Sequence, residues 1–379
     1  MTGTTGHPGP PPPPSRMRHR RSKAKALVAV LIALIAVGVI GISSTVGFSR
    51  VVHHFTEDTA DFSGPAGPDK EVKVIPGSSL RTIGKMLAEA GVVKSQGAFV
   101  DAAKHNSRST SIAPGTYRMA EHLSGKAAVS RLLDPQYRVL AHVVVPEGRT
   151  SKEIIALLVQ QTGIAQDKFD DALKDPSGYG IPDWDKNPDG HRSEGFLFPA
   201  TYDFEPEATA TTVLQAFTKR FNQASQTTGI TTKTGPQNLT PFQVLTVASL
   251  VQAEAKRAED MPKIAQVIYN RLAKQMALQL DTTVLYANGG IRAITTTAAQ
   301  RAIDSPYNTY KVIGLPPGPI NNPGEAAINA ALSPEAGPWL YFVAINPQTG
   351  ETRFATTGAE HAQNVALFQQ WMREHPGYK

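Results

Sequence analysis

Three kinds of apolar patterning divide this chain. From Ala26 to Phe48 the residues run ALVAVLIALIAVGVIGISSTVGF without a charged side chain. A bilayer core ~30 Å thick takes about 20 apolar helical residues, so this stretch is predicted to be a transmembrane helix. Two later segments pass from a β-rich stretch through a Pro/Gly turn into an amphipathic helix, with a second short helix after each. Beyond Asp175 a helical pattern covers roughly Pro241–Met276, interrupted near Asp260–Pro262. On its wheel Val247, Leu250, Val251 and Ala258 share one face, and Glu254 falls among them at spacings of three, four and seven. Glu259 and Asp260, near the break, read as solvated.

Charge sharpens the reading of the first segment. The formal net charge is +6. Residues 1–25 carry Arg16, Arg18, Arg20, Arg21, Lys23 and Lys25 but no Asp or Glu. Set aside from the 38 Lys and Arg, these six leave 32 to balance the 32 Asp and Glu. The excess is thus a tail beside an apolar span, which argues against nucleic acid as a partner. The positive-inside rule places residues 1–25 in the cytoplasm and the chain after Phe48 outside it, anchored in the cell membrane by residues 26–48. A cleaved signal peptide is the rival, but the run is longer than a signal's apolar region and no clear small-x-small site follows. Pro8 and Pro10–Pro14 among Gly and Thr predict a disordered, partly polyproline tail.

After a linker over residues 49–69, two segments match without gaps at an offset of 70. Val74-Ile75-Pro76 answers Val144-Val145-Pro146, Leu87 answers Leu157, and Phe99 answers Phe169. Asp101, Ala102 and Lys104 answer Asp171, Ala172 and Lys174. The β-rich stretches are Glu71–Ile75 and Arg138–Val145, and Thr150 with Glu153 forms a capping box ahead of the second helix. These strand–helix–helix units, residues 70–137 and 138–180, resemble LysM-like modules, which bind N-acetylated sugars. A duplicated spacer is the other reading. Residues 181–379 then form the domain that carries the chemistry.

Several chemistries are excluded. With no cysteine there is no disulfide, thiolate metal site, Cys nucleophile or lipid-modified cysteine. The ten His show no metal-ligand spacing. A Gly-rich phosphate loop and a Ser nucleophile elbow are also missing. Neither a metal nor a cofactor is implied. A lone carboxyl on an apolar stripe is costly to ionise, so Glu254 is expected to stay protonated near neutral pH and able to donate a proton. A buried-stripe Glu that reaches an Arg or a cap fits the same pattern.

The stretches Val247-Ala-Ser-Leu-Val-Gln-Ala-Glu254, Val267-Ile-Tyr-Asn-Arg-Leu272 and Leu278-Gln-Leu-Asp-Thr-Thr-Val284 resemble the MltG (YceG-like) family of endolytic murein transglycosylases. So do Tyr307-Asn-Thr-Tyr310, Gly314-Leu-Pro-Pro-Gly-Pro-Ile320, Trp339-Leu-Tyr-Phe-Val343 and the closing Phe354…Glu360-His361. They occur in family order over about residues 70–370. The family's acid maps onto Glu254. Gln252 stands where many members have a second Glu, and Asp281-Thr-Thr283 where many have Asp-Pro-Thr.

The resemblance implies an α+β exterior with strands around Val284 and Leu340–Ala344 packing the catalytic helix. It also implies cleavage of peptidoglycan glycan strands without water, with Glu254 protonating the MurNAc–GlcNAc oxygen and the MurNAc 6-hydroxyl closing a 1,6-anhydro end. An intramolecular nucleophile lets one carboxyl suffice. Glu194 is expected in a cleft beside Phe196 and Phe198, or as support for the turn before Pro199. Asn270, Gln279 and Asp281 are candidates for sugar hydroxyls or acetamido groups, or else caps. Tyr307, Asn308 and Tyr310 suit a sugar-binding wall. Arg271 is expected to orient Glu254, pair with a peptide carboxylate or make a surface ion pair; His361 is expected to fasten the last helix. Penicillin-binding proteins and other cell-wall synthases are partners the resemblance implies. A lysozyme-like hydrolase, with Glu194 or Asp281 as second carboxylate, and a non-catalytic peptidoglycan-binding scaffold are the alternatives.

Overall fold

The computed structural model describes residues 59–188, 192–233, 235–290, 295–376 and 378. The helix expected over Ala26–Phe48, the basic tail and part of the linker lie outside the described residues. Among the described residues no helix is long and apolar enough to cross a membrane. The chain is α+β, with short helices around small two-stranded sheets, and it separates into two units.

The first unit takes in residues up to Ala113 and Met119–Pro135. Strand β1 (Asp69–Val74) leads into helices α1 (Leu80–Glu89) and α2 (Gln96–Lys104), and the unit resumes at Met119, with the last two residues of strand β2 (Gly115–Ala120), and continues through helix α3 (Gly125–Leu133). Each helix is entered through a serine cap, Ser79, Ser95 or Ser124, whose hydroxyl accepts from an amide three residues on. Val72, Val74, Ile83, Leu87, Phe99 and Met119 are buried. At Gly125 a β-carbon would stand 2.3 Å from the Ala98 carbonyl oxygen, so glycine alone permits α3 to start against α2.

The second unit holds Pro114–Arg118 and everything from Gln136 on. Strand β3 (Ala141–Val144) is followed by α4 (Ser151–Thr162), opened by the Thr150/Glu153 capping box, and by α5 (Gln166–Leu173). Its partner strand, β4 (Thr201–Phe204), comes only after a long excursion that carries Glu194. The pairing is antiparallel, from Ala141 opposite Phe204 to Val144 opposite Thr201. Val143, Ile154, Leu158 and Phe169 share one core with Leu197, Tyr202 and, from α6 (Ala210–Thr228), Val213 and Phe217. The boundary expected after residue 180 therefore falls inside a single packed unit, because the second copy completes its sheet and core with residues beyond it.

Helix α7 (Pro241–Glu254) starts at a Thr240/Gln243 capping box with proline at its first position. Phe242, Val244, Leu245, Val247, Ala248, Leu250 and Val251 are all buried, so α7 is enclosed on every side and not by a single stripe. It packs against α8 (Met261–Ala273). The expected break near Asp260–Pro262 comes earlier, at Ala255, whose extended backbone ends α7. Ala258 consequently leaves the helix for a 3-10 turn and does not share the Glu254 face. Asp260, expected in solvent, is buried with 9% exposure, whereas Glu259 is exposed and paired with Arg257.

Val284, expected in a strand, lies in helix α9 (Asp281–Ala287), which precedes the short α10 (Ala298–Arg301). The β-branched run Thr282-Thr283-Val284 favours a strand by propensity. Packing overrides it: Thr283 is buried, its hydroxyl bonding the Leu280 carbonyl and Thr309, and Val284 is fully enclosed. Helix α11 (Glu325–Leu332) packs on α7 and α8. The chain closes with β5 (Tyr341–Asn346), β6 (Glu351–Ala355) and α12 (Gly358–Glu374). As expected of Leu340–Ala344 a strand forms there, and it contacts α8.

Candidate active site

Glu254 is the last residue of α7 and is half-buried. The negative end of the helix dipole and loss of water both oppose its charge. The Thr282 hydroxyl donates to its Oε1 at 2.5 Å. Burial pushes the carboxyl up to about 7, helped by the Asp281 charge and opposed by the Thr282 hydroxyl and amide. It is thus about half protonated at neutral pH and largely protonated below it, and able to give its proton to an oxygen that enters the site.

A second carboxyl is raised to the same range by the same cause, burial. Glu194 is only 4% exposed. Its Oε1 accepts from the Ser151 amide at 2.9 Å and hydroxyl at 3.2 Å, and from Asn322 Nδ2 at 3.1 Å. Tyr286 donates to Oε2 at 3.1 Å. Burial outweighs these donors and pushes it up to about 7. The turn that delivers it needs Gly195, with φ of +89° and Pro319 Cγ 2.7 Å from where a β-carbon would be. Glu194 also lines a cavity of about 490 Å³ with Ser151, Lys152, Gln166, Asp170 and Tyr286. Phe196 and Phe198, expected beside it in a cleft, are core residues.

The remaining candidates mostly build the frame. Asp281 accepts at Oδ1 from the Thr296 hydroxyl at 2.5 Å and Tyr310 at 2.7 Å, and at Oδ2 from the Thr296 amide at 3.1 Å. The Arg301 guanidinium covers the Tyr310 ring at 5.5 Å. Asn308 is fully buried, its amide bonding the Arg301 and Ile303 carbonyls and its oxygen accepting from the Tyr310 amide. Tyr307 is buried with its ring 5.0 Å from that of Tyr286. Gln279 is exposed, at φ +54°, and its amide bonds the Thr309 carbonyl.

Asn270 and Arg271 lie on α8 and turn to the main chain. Asn270 Nδ2 bonds the Gly337 and Trp339 carbonyls, both at 2.8 Å. Arg271, 8% exposed, bonds the Leu340, Ala277 and Leu278 carbonyls and stacks over Tyr341. Both positions thus brace the segments that flank the site. His361 stacks on Tyr341 from the first turn of α12, as a fastening residue would.

Three contributors were missed in the sequence. Thr282 and Tyr286 stand on α9, one holding Glu254 and the other Glu194. Asn322 bonds the Arg149 carbonyl, Ser151 and Glu194, and accepts from the Leu197 amide. The signal available for Thr282 was the departure from Asp-Pro-Thr. For Asn322 it was a buried-type amide directly after the Pro-rich turn.

Fold and site define an α+β protein built around a protonatable carboxyl at a helix end. The chain belongs to the YceG-like family, which matches residues 72–367. The endolytic murein transglycosylase of Bacillus subtilis is 34% identical over 302 residues, covering 76% of this chain and 82% of that protein. The endolytic murein transglycosylase of Streptococcus pneumoniae serotype 2 is 32% identical over 321 residues, which are 78% of this chain and 57% of that protein. A crystal structure of a yceG-like protein from Listeria monocytogenes superposes with a TM-score of 0.54 at 31% identity, covering 79% of this chain and 99% of that one.

Proposed function

We propose that this chain is an endolytic lytic transglycosylase of peptidoglycan, with Glu254 as its acid. The observation that carries the reading is the state of Glu254: a half-buried carboxyl at a helix end, pushed up to about 7 and held by a donor on one oxygen. The names of the relatives supply the substrate class. Glu254 gives its proton to the MurNAc–GlcNAc oxygen as positive charge develops at C1, and the MurNAc 6-hydroxyl attacks that carbon. Its proton returns to Glu254, and a 1,6-anhydro end forms without water. A hydrolase would call on a second carboxylate to activate water. Asp281 and Glu194 are both engaged by several donors, which favours the intramolecular nucleophile.

The rest of the proposal follows from sequence and topology. Residues 26–48 anchor the protein in the cell membrane with residues 1–25 in the cytoplasm and the enzyme outside. The order strand–helix–helix–strand occurs at Asp69–Ala120 and again at Ala141–Phe204, which supports the LysM-like reading of both copies. Asn270, Arg271, Gln279, Tyr307, Asn308 and Tyr310 shape the glycan path, together with Glu194 and Asp281. Penicillin-binding proteins and other synthases are the neighbours that would supply nascent strands.

Mass spectrometry of muropeptides released from purified peptidoglycan by the full chain tests this. Ends carrying anhydro-MurNAc, missing from the Glu254→Gln digest, are the expected result. Ordinary reducing ends would indicate a hydrolase, and binding without cleavage a scaffold.

A further inference from the structure

Glu254 Oε1 is occupied. The Thr282 hydroxyl donates to it at 2.5 Å, and the Thr282 amide reaches the same carboxyl. A carboxylic acid carries its proton on one oxygen, and the oxygen that already accepts a short bond is the poorer place for it. The helix bearing Thr282 is fixed without that bond. Asp281 is tied to Thr296 and Tyr310, Thr283 to Thr309, and Tyr286 to Glu194. The Thr282 hydroxyl is therefore spare for the fold and committed to Glu254.

We propose that Thr282 is a positioning residue for the acid, holding Oε1 as an acceptor so that Oε2 carries and passes the proton. This rests on the reading of Glu254 as the acid. Oε2 gives its proton to the glycosidic oxygen as the bond from that oxygen to C1 breaks. The carboxylate, now ionised, is held by Thr282. It takes the proton of the 6-hydroxyl at Oε2 as that oxygen bonds to C1, so the carboxyl ends as it began.

The test compares full-length wild type, Thr282→Val, Thr282→Ser and Glu254→Gln on purified peptidoglycan, with kcat, KM, rate against pH and thermal unfolding read for each. Thr282→Val is expected to lower kcat roughly 10–100-fold, a part of the 10²–10⁴ that general acid catalysis supplies, with KM little changed. Its alkaline limb moves to higher pH, because the anion has lost a donor. Thr282→Ser restores both. Should Thr282→Val fold poorly, Thr282→Ala removes the same hydroxyl with a strong helix former and carries the comparison.

A well-folded Val or Ala variant with wild-type kcat and an unmoved limb, beside an inactive Glu254→Gln, would overturn the role of Thr282 alone. So would a Ser variant as slow as Val. A fully active Glu254→Gln would overturn the acid and, with it, the positioning residue.

Discussion

Thr282 and Tyr286 stand four residues apart on one seven-residue helix, and their hydroxyls hold Glu254 and Glu194 respectively. Residues at i and i+4 share a helix face, so one short element serves two buried-type carboxyls, each pushed up to about 7. The helix sits on the Tyr307–Tyr310 loop, which accepts the Gln279 and Leu280 amides through Thr309. Motifs far apart in sequence thus converge on α9.

The first concerns the pH range of cleavage. Glu254 acts as an acid only while protonated, and its carboxyl is pushed up to about 7. The kcat/KM of the full chain, which follows the free protein's titration, should therefore be level below that value and approach a tenfold fall per pH unit above it. Glu254→Gln should lower the rate about 10²–10⁴-fold on the plateau below about pH 7 and remove the limb, so that its gap to wild type narrows as pH rises. Rates measured between pH 5 and 9 check this; a wild-type rate level through pH 8 would deny Glu254 the role.

A second prediction separates Glu194 from catalysis through stability. Its folded value, about 7, lies above the ordinary 4.5. The folded state thus binds the extra proton, and the stability this confers is full below about 4.5 and lost as pH rises through about 7. A shift of roughly 2.5 units corresponds to about 3 kcal/mol. Glu194→Gln keeps the shape but does not titrate. Relative to wild type it should gain on the order of 3 kcal/mol between pH 4.5 and 8, read from thermal unfolding at both.

How far these sites were legible depends on the kind of signal each leaves. Glu254 stood out because an acid among Val247, Leu250 and Val251 breaks a hydrophobic pattern. The Thr150/Glu153 box and the two strand–helix–helix copies were legible because caps and periodicity are local. The partner of β3 was not, since Thr201–Phe204 lies some sixty residues on and strand pairing carries no local mark. Nor was the true end of α7, because Ala255 and Lys256 are compatible with a helix and the turn is imposed by packing. Asn270, Arg271 and Asn308 looked like ligand-facing polar groups; their bonds go to main-chain carbonyls, a use of amides and guanidinium that sequence does not distinguish from sugar binding.

Asn322 should prove more costly to remove than its place after a turn suggests. It satisfies the Leu197 amide and the Arg149 carbonyl and supplies one donor to Glu194. Asn322→Ala leaves the buried Leu197 amide without its partner, at about 1–3 kcal/mol, and takes one bond each from the Arg149 carbonyl, still held by the main-chain amide of residue 322, and from Glu194, still held by Ser151 and Tyr286. A loss of roughly 3 kcal/mol is expected, seen as a fall in the denaturant midpoint at unchanged m-value. A loss under about 1 kcal/mol would mean that water replaces the amide.

Gly195 gives the sharpest steric test, because it forms the turn that delivers Glu194. Its φ of +89° is disfavoured for any side chain, and a β-carbon would lie 2.7 Å from Pro319 Cγ and 3.1 Å from Leu245 Cδ2. Left-handed backbone costs a non-glycine residue about 1–2 kcal/mol. Overpacking adds roughly 1–3 kcal/mol more. Neither neighbour yields easily: Pro319 belongs to a rigid ring in the Pro-rich turn, and Leu245 is fully enclosed on α7. Gly195→Ala should therefore destabilise the protein by about 3 kcal/mol. The strain falls on the turn between Glu194 and the Phe196 core, so the Ser151 and Asn322 bonds to Glu194 should loosen as well. Faster hydrogen exchange at the Ser151 amide, beside a lowered unfolding temperature, is the joint result expected. A lowered temperature with Ser151 exchange unchanged would confine the damage to the Pro319 contact and leave Glu194 held by its donors alone.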